Sequence, residues 1–227
     1  MTSGGRELVK WLALLFMTGD HTLKILHLGY MPVIAELGRV AFPLFALVFA
    51  YNLAQPGADV AKLIKRLFLW GLVATPIAAI AFNRALPLNI LLSFALAAVC
   101  IRAIEERKWI VLAFCLLPAP YLVDYRWNGL AVVLGAWLFW RNPAGWRWPR
   151  AVSVVVLLVI PLVLLCSVNR TLWPLLALPI AGLAYLSWAI PRTGRAFYVY
   201  YCGHLVALAG LSYAMVWADA PVDVVLT

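Results

Sequence analysis

The feature that most constrains this chain is a succession of apolar runs with little polar sequence between them. Nine can be drawn, at about 8–28, 38–54, 62–82, 87–103, 109–123, 127–140, 151–168, 171–190 and 196–218. A helix needs about 20 residues to cross the hydrocarbon of a bilayer. Only helices and closed barrels satisfy every backbone group there. The fifth and sixth runs are short, and suit half-spanning segments or one re-entrant hairpin, so eight or ten crossings stand as alternatives to nine. No internal repeat is evident, and the connections are too short to hold a soluble domain. The expected architecture is therefore all-α. It is one polytopic integral membrane helical bundle over residues 1–227, with about nine transmembrane helices and the lipid bilayer as partner. Composition agrees: 66% of residues are hydrophobic, where a soluble domain has about half.

Charge sets the expected orientation. Lys and Arg number 18 against 9 Asp and Glu. In a soluble chain that excess would suggest nucleic acid; here the cations fall between apolar runs, and no nucleic-acid partner is expected. With the N-terminus inside, the inner connections carry Arg6, Lys10, Lys62, Lys65, Arg66, Arg102, Arg107, Lys108, Arg141, Arg147, Arg150, Arg192 and Arg195. The outer ones carry Arg84, Arg126 and Arg170, and the acidic tail with Asp219 and Asp223 also falls outside. This positive-inside asymmetry predicts an N-in, C-out protein. Arg6 and Lys10 precede the first run as in a signal peptide, but that run carries Asp20, His21 and Lys24 and has no clear small-residue cleavage site. It reads as an uncleaved first span.

Those three residues are the first candidates for chemistry. Ionisable groups within a span are costly, so they face protein or water and tend to have a role. Asp20 and Lys24 are spaced i, i+4 and can meet on one helix face, which His27 continues at i+7. Asp20 and His21 point about a hundred degrees apart, so they do not form a close dyad. Asp20 can pair with Lys24 or Arg39 to hold spans together, or orient a partner of a histidine base. In the last run Phe197, Tyr200, Tyr201 and His204 share a face, which suggests a polar pocket. His21 or His204 is the candidate general base, and a core role for His204 is as plausible. Arg39 is either an interfacial snorkelling residue or an anion-binding group. Lys62, Lys65 and Arg66 are topogenic or receive the phosphates of a cytosolic nucleotide. Asn89 and Asp124 sit at the outer ends of their runs.

Several classes are disfavoured. There is no Gly-rich phosphate loop, no HExxH and no serine elbow. Cys100, Cys115, Cys166 and Cys202 lie in or beside apolar runs without CxxC spacing, so neither a disulfide nor a metal site is expected.

The segment Leu8-Val-Lys-Trp-Leu-Ala-Leu-Leu-Phe-Met-Thr-Gly-Asp-His21 resembles the opening of the TraX family. Gly38-Arg-Val-Ala-Phe-Pro-Leu-Phe-Ala46 is similar to its second block. Leu63-Ile-Lys-Arg-Leu67, Asn89-Ile-Leu-Leu-Ser93, Asp124-Tyr125 with Gly129, and Phe197-Tyr-Val-Tyr-Tyr-Cys-Gly-His204 resemble later blocks in order. The pattern departs at Ala50-Tyr51-Asn52 and at Cys202-Gly203. The family is that of the conjugative F-pilin acetylase, with TrbP-like conjugal transfer proteins near it. The resemblance implies a multi-pass N-acetyltransferase of the bacterial inner (plasma) membrane, with acetyl-CoA as donor and a pilin subunit as acceptor. On that expectation His21, Asp20, His204 and Arg39 are catalytic, and Lys62, Lys65 and Arg66 meet the CoA phosphates. Lys24, Asn89, Asp124, Tyr200 and Tyr201 would bind substrate. A proton-coupled membrane transporter and a non-enzymatic pilin assembly factor are the rival readings; midplane Asp, His and Lys would suit the first.

Overall fold

Thr2 opens the first helix: its hydroxyl accepts from the Gly5 N–H at 3.0 Å, and it donates to the Leu186 carbonyl at 2.7 Å. Asp59 caps the third helix through the Lys62 N–H, and Asn89 caps the fourth through the Leu91 N–H. These side chains take backbone donors that a helix start leaves without partners. The computed structural model describes residues 1–142, 148–194 and 196–218. Arg147, Arg195, Asp219 and Asp223 lie outside the described residues.

Nine helical segments follow among them. They are α1 (Ser3–Ile25), α2 (Pro32–Leu53), α3 (Val60–Ala81), α4 (Ile90–Glu105), α5 (Trp109–Leu116), α6 (Arg126–Arg141), α7 (Arg150–Asn169), α8 (Trp173–Tyr185) and α9 (Ala196–Ala218). They correspond in order to the nine apolar runs. Among the described residues the structure is all-helical; the one β-type pairing is an isolated bridge from Leu88 to Val123.

Nine helices are not nine membrane-length helices. Four, α2, α3, α7 and α9, are long and apolar enough to cross a bilayer. Helix α1 has 23 residues but carries Arg6, Glu7, Lys10, Asp20 and Lys24. Helices α4 and α6 have 16 residues each, about 24 Å of rise against a hydrocarbon core of about 30 Å. Helix α5 has 8 residues, followed by a 3-10 turn at Ala119–Leu122. The eighth run, expected over 171–190, forms a helix only over Trp173–Tyr185 and begins and ends in 3-10 geometry. Proline and short length interrupt these segments where hydropathy alone reads continuous spans.

Helix α2 is the hub. Val40, Phe42, Leu44, Leu47 and Val48 are buried, and the helix packs on α1, α6 and α8. Helices α3 and α9 instead expose Phe68, Leu69, Leu72 and Val73, and Val199, Val206 and Leu211. Apolar faces of that extent belong against lipid. Inside the bundle, α1, α2, α3, α4 and α9 enclose a cavity.

Candidate functional site

The cavity has a volume of about 570 Å³. Its backbone is one stripe of α1: Lys10, Leu14, Met17, His21 and Lys24 all line it. Their spacing of 4, 3, 4 and 3 keeps them on one helix face. Lys10 and His21 are thus three turns apart, about 16 Å along the axis. The face expected on α1 ran through Asp20, Lys24 and His27; the stripe with Leu14, Met17 and His21 emerges only from the cavity lining, and Lys10 reads in the sequence only as one cation among the inner connections.

At the Lys10 end the wall is basic and aromatic. The Lys10 ammonium lies 2.7 Å from Glu7 and 4.7 Å from the centroid of the Phe197 ring. The Arg66 guanidinium lies 5.3 Å from the Tyr198 centroid, and Tyr198 stacks on Trp70 at 6.0 Å. The Arg66 Nε is buried and finds no hydrogen-bond partner among the described residues. Asn52 also lines this end and accepts from Arg6. Of the three cations expected to meet phosphates, only Arg66 lines the cavity; Lys62 and Lys65 are exposed outside it. The helix decides this: Arg66 faces inward with Leu63, while 62 and 65 turn to solvent.

The other end carries both signs. Asp20 is buried and its carboxylate accepts from the Lys24 ammonium at 2.5 Å. It lies directly over Gly38 of α2: a Cβ at Gly38 would stand 2.3 Å from the Asp20 Cβ. Asp20 therefore pairs along its own helix, and not with Arg39, which does not line the cavity. His27 lies beyond the end of α1 with φ of 52° rather than continuing the helical face, but it still lines the cavity. Arg84 and Asp124 complete this end. The Asp124 backbone is pinned, its N–H donating to the Leu88 carbonyl and its own carbonyl accepting from Ser93. Asp124 is followed by two residues with positive φ, Tyr125 at 59° and Arg126 at 45°, a strained geometry that functional sites tend to hold. Asn89 borders the cavity, but its amide is committed. It donates to the Gly71 carbonyl and to Thr75, and its oxygen accepts from Leu91. Its place is a clasp between α3 and α4.

Between the two ends stands His21. Its Nδ1 lies 2.8 Å from the Nε2 of His204, 183 residues away on α9. Phe82 meets its ring edge-on at 5.0 Å. His204 is buried behind His21 and does not line the cavity. The face expected on α9 divides in the same way. Phe197, Tyr198 and Tyr201 border the cavity, whereas Tyr200 reaches away to Thr18 at 2.9 Å. Thr18 spends its own hydrogen on the Leu14 carbonyl at 2.8 Å, so the Tyr200 hydroxyl is the donor of that pair. Reading the sequence missed Lys10, Asn52, Arg84, Tyr198 and the pairing of the two histidines. No sequence signal places 21 beside 204.

These features define a class: a helical membrane protein with a polar cavity inside the bundle and, at its wall, one histidine backed by a second. The family model described as "TraX protein" matches residues 5–212. Two relatives, each called "Protein TraX", one from Escherichia coli and one from Escherichia coli strain K12, are 32% and 31% identical over 220 residues. In both cases the match covers 92% of this chain and 88% of the relative. The chain belongs to the TraX family. No solved structure matches it.

Proposed function

We propose that this chain is an N-acetyltransferase of the bacterial inner membrane, N-in and C-out, that moves an acetyl group from acetyl-CoA to the N-terminal amine of a conjugative pilin. The observation that carries the reading is the placement of His21. It stands on the wall of one cavity whose ends differ in charge, with Lys10 and Arg66 at one and Asp20, Lys24, Arg84 and Asp124 at the other. On this reading the basic end faces the cytosol and takes the CoA phosphates; Arg66, whose buried Nε has no hydrogen-bond partner among the described residues, and Lys10 replace Lys62 and Lys65 in that role. The pantetheine arm then runs along the α1 stripe, whose three turns bring the thioester to the level of His21. The acceptor amine enters from the mixed-charge end, where the Asp124 carboxylate holds it.

The chemistry is a direct acyl transfer. The amine nitrogen forms a bond to the acetyl carbon, and the carbon–sulfur bond breaks. His21 takes the proton that the amine loses and delivers it to the departing CoA thiolate. Tyr201 and Arg84, which line the same cavity, are the donors available to the oxyanion. Arg39 does not line it and is left out of this step.

The test is the intact mass of the cognate pilin from cells with the gene, without it, and with His21→Ala. The expected result is an acetyl increment that needs both the gene and His21, with the variant slowed about 100- to 10,000-fold. Near-normal acetylation by an inserted His21→Ala protein would exclude His21 as the base. Pilin that accumulates with the gene but never gains the increment would favour an assembly factor.

A further inference from the structure

We infer that His204 is a positioning residue that sets the tautomer of His21, and so decides which of its nitrogens is basic. The His204 Nδ1 lies 2.9 Å from the Tyr200 backbone oxygen. A carbonyl only accepts, so Nδ1 carries the hydrogen. A neutral imidazole has one N–H, so the His204 Nε2 presents a lone pair. That lone pair faces the His21 Nδ1 at 2.8 Å. Two lone pairs do not approach that closely, so the His21 Nδ1 is the donor. The His21 Nε2 is then left with its lone pair, unprotonated and unclaimed by His204.

The ring geometry agrees. The two imidazole planes differ by 11° and their centroids are 5.1 Å apart. That is the separation of two rings joined edge to edge by a straight N–H···N bond, not of two rings lying face on face. The chain of bonds is braced on both sides. The Tyr200 hydroxyl donates to Thr18, one turn before His21 on α1. Thus the residue whose carbonyl fixes His204 also ties α9 to the helix that carries His21. An imidazole side chain free in water favours the opposite tautomer, with hydrogen on Nε2; here the backbone of α9 imposes the reverse.

The consequence deepens the acyltransfer reading, on which its catalytic part rests. A base at Nε2 needs its second nitrogen protonated and held. When His21 takes a proton it becomes a cation that donates to His204, a charge-assisted bond stronger than the neutral one. No onward path leads from His204, because its Nδ1–H faces the Tyr200 carbonyl, which accepts a hydrogen bond but takes up no proton. His204 is a brace and not a relay.

Nitrogen-15 NMR of protein labelled at histidine and held in lipid nanodiscs tests this directly. The chain has three histidines, and His27→Gln and His21→Gln variants assign the spectrum. In the wild type the expected His21 signal is that of the Nδ1–H tautomer. His204→Leu, which cannot accept, should return His21 to the Nε2–H form. His204→Gln, whose amide oxygen accepts, should preserve the Nδ1–H form. Pilin acetylation should fall about 10- to 100-fold in His204→Leu, the range seen when a group that orients a metal-bound histidine is removed, and recover in His204→Gln. An Nε2–H His21 in the wild type, or a tautomer unmoved by His204→Leu, would overturn the inference. If the tautomers behave as expected and the wild type acetylates nothing, the brace stands and the acyltransferase reading fails.

Discussion

At the scale of single residues, the Asp20–Lys24 pair shows how a polar group is tolerated inside an apolar bundle. Asp20 is 7% exposed, while the Lys24 side chain is 45% exposed at the cavity end. The lysine thus neutralises the carboxylate and keeps its own head partly wet. Replacing Lys24 by Met leaves a buried carboxylate without its counter-ion, and removing one partner costs more than removing both. The expected loss for Lys24→Met is about 1–3 kcal/mol, because half of the pair is solvated. It is read as a lower thermal midpoint in detergent, and Asp20→Asn with Lys24→Met should recover part of it. A midpoint unchanged by Lys24→Met would make the pair a surface contact of no structural weight. The i, i+4 spacing made this pair legible. What the spacing could not show is Gly38, whose missing side chain gives the Asp20 carboxyl its room.

At the scale of elements, prolines decide how the helices fit. Pro161 in α7 has no N–H, so the Leu157 carbonyl four residues earlier loses its helical partner. The helix widens into a π turn over Val155–Val159, a common response to such a break. The Leu157 oxygen comes to rest against α6, where a Cβ on Gly135 would stand 2.3 Å from it. Gly135 is therefore the only residue type that lets the two backbones approach this closely. A Cβ there meets backbone and not a flexible side chain, so the helices must separate. Gly135→Ala should cost about 1–3 kcal/mol and lower the thermal midpoint, whereas Gly203→Ala, which meets open space, should leave it nearly unchanged. Equal midpoints for the two variants would refute the close-packing account. Pro161 marks an irregularity for anyone reading the sequence, but its partner across the bundle is invisible there.

At the scale of the whole molecule, the reading depends on which end of the cavity meets the cytosol. The N-in arrangement puts the α2–α3 connection, beside Arg66 and Lys10, on the inner side and the α1–α2 connection on the outer side. All four native cysteines are buried, so introduced ones report with little background. Lys62→Cys should react with an impermeant thiol reagent only after cells are opened. Tyr30→Cys, 68% exposed between α1 and α2, should react in intact spheroplasts. The reverse pattern would turn the cavity over and remove the cytosolic donor site; reaction of both in intact spheroplasts would mean that α2 does not cross. Since four helices among the described residues have both the length and the apolar character to span, the same experiment extended to each connection would count the crossings that hydropathy sets at about nine.

Hydropathy by itself determined where the helices fall: their order along the chain and the nearly unbroken apolar character that calls for lipid. It could do so because each apolar run answers to a local cost, that of placing charge and unpaired backbone in hydrocarbon. The helix period likewise carried the Asp20–Lys24 pair, since neighbours on one face are a matter of spacing alone. What met across the bundle belonged to the tertiary structure. His21 found His204 because α1 packs on α9, Arg66 turned into the cavity while Lys62 and Lys65 turned out, and Asn89 was spent on Gly71 and Thr75. Each outcome depends on how two helices rotate and approach. That is set by small residues and prolines elsewhere in the chain, so no local reading of the residues involved could have supplied it.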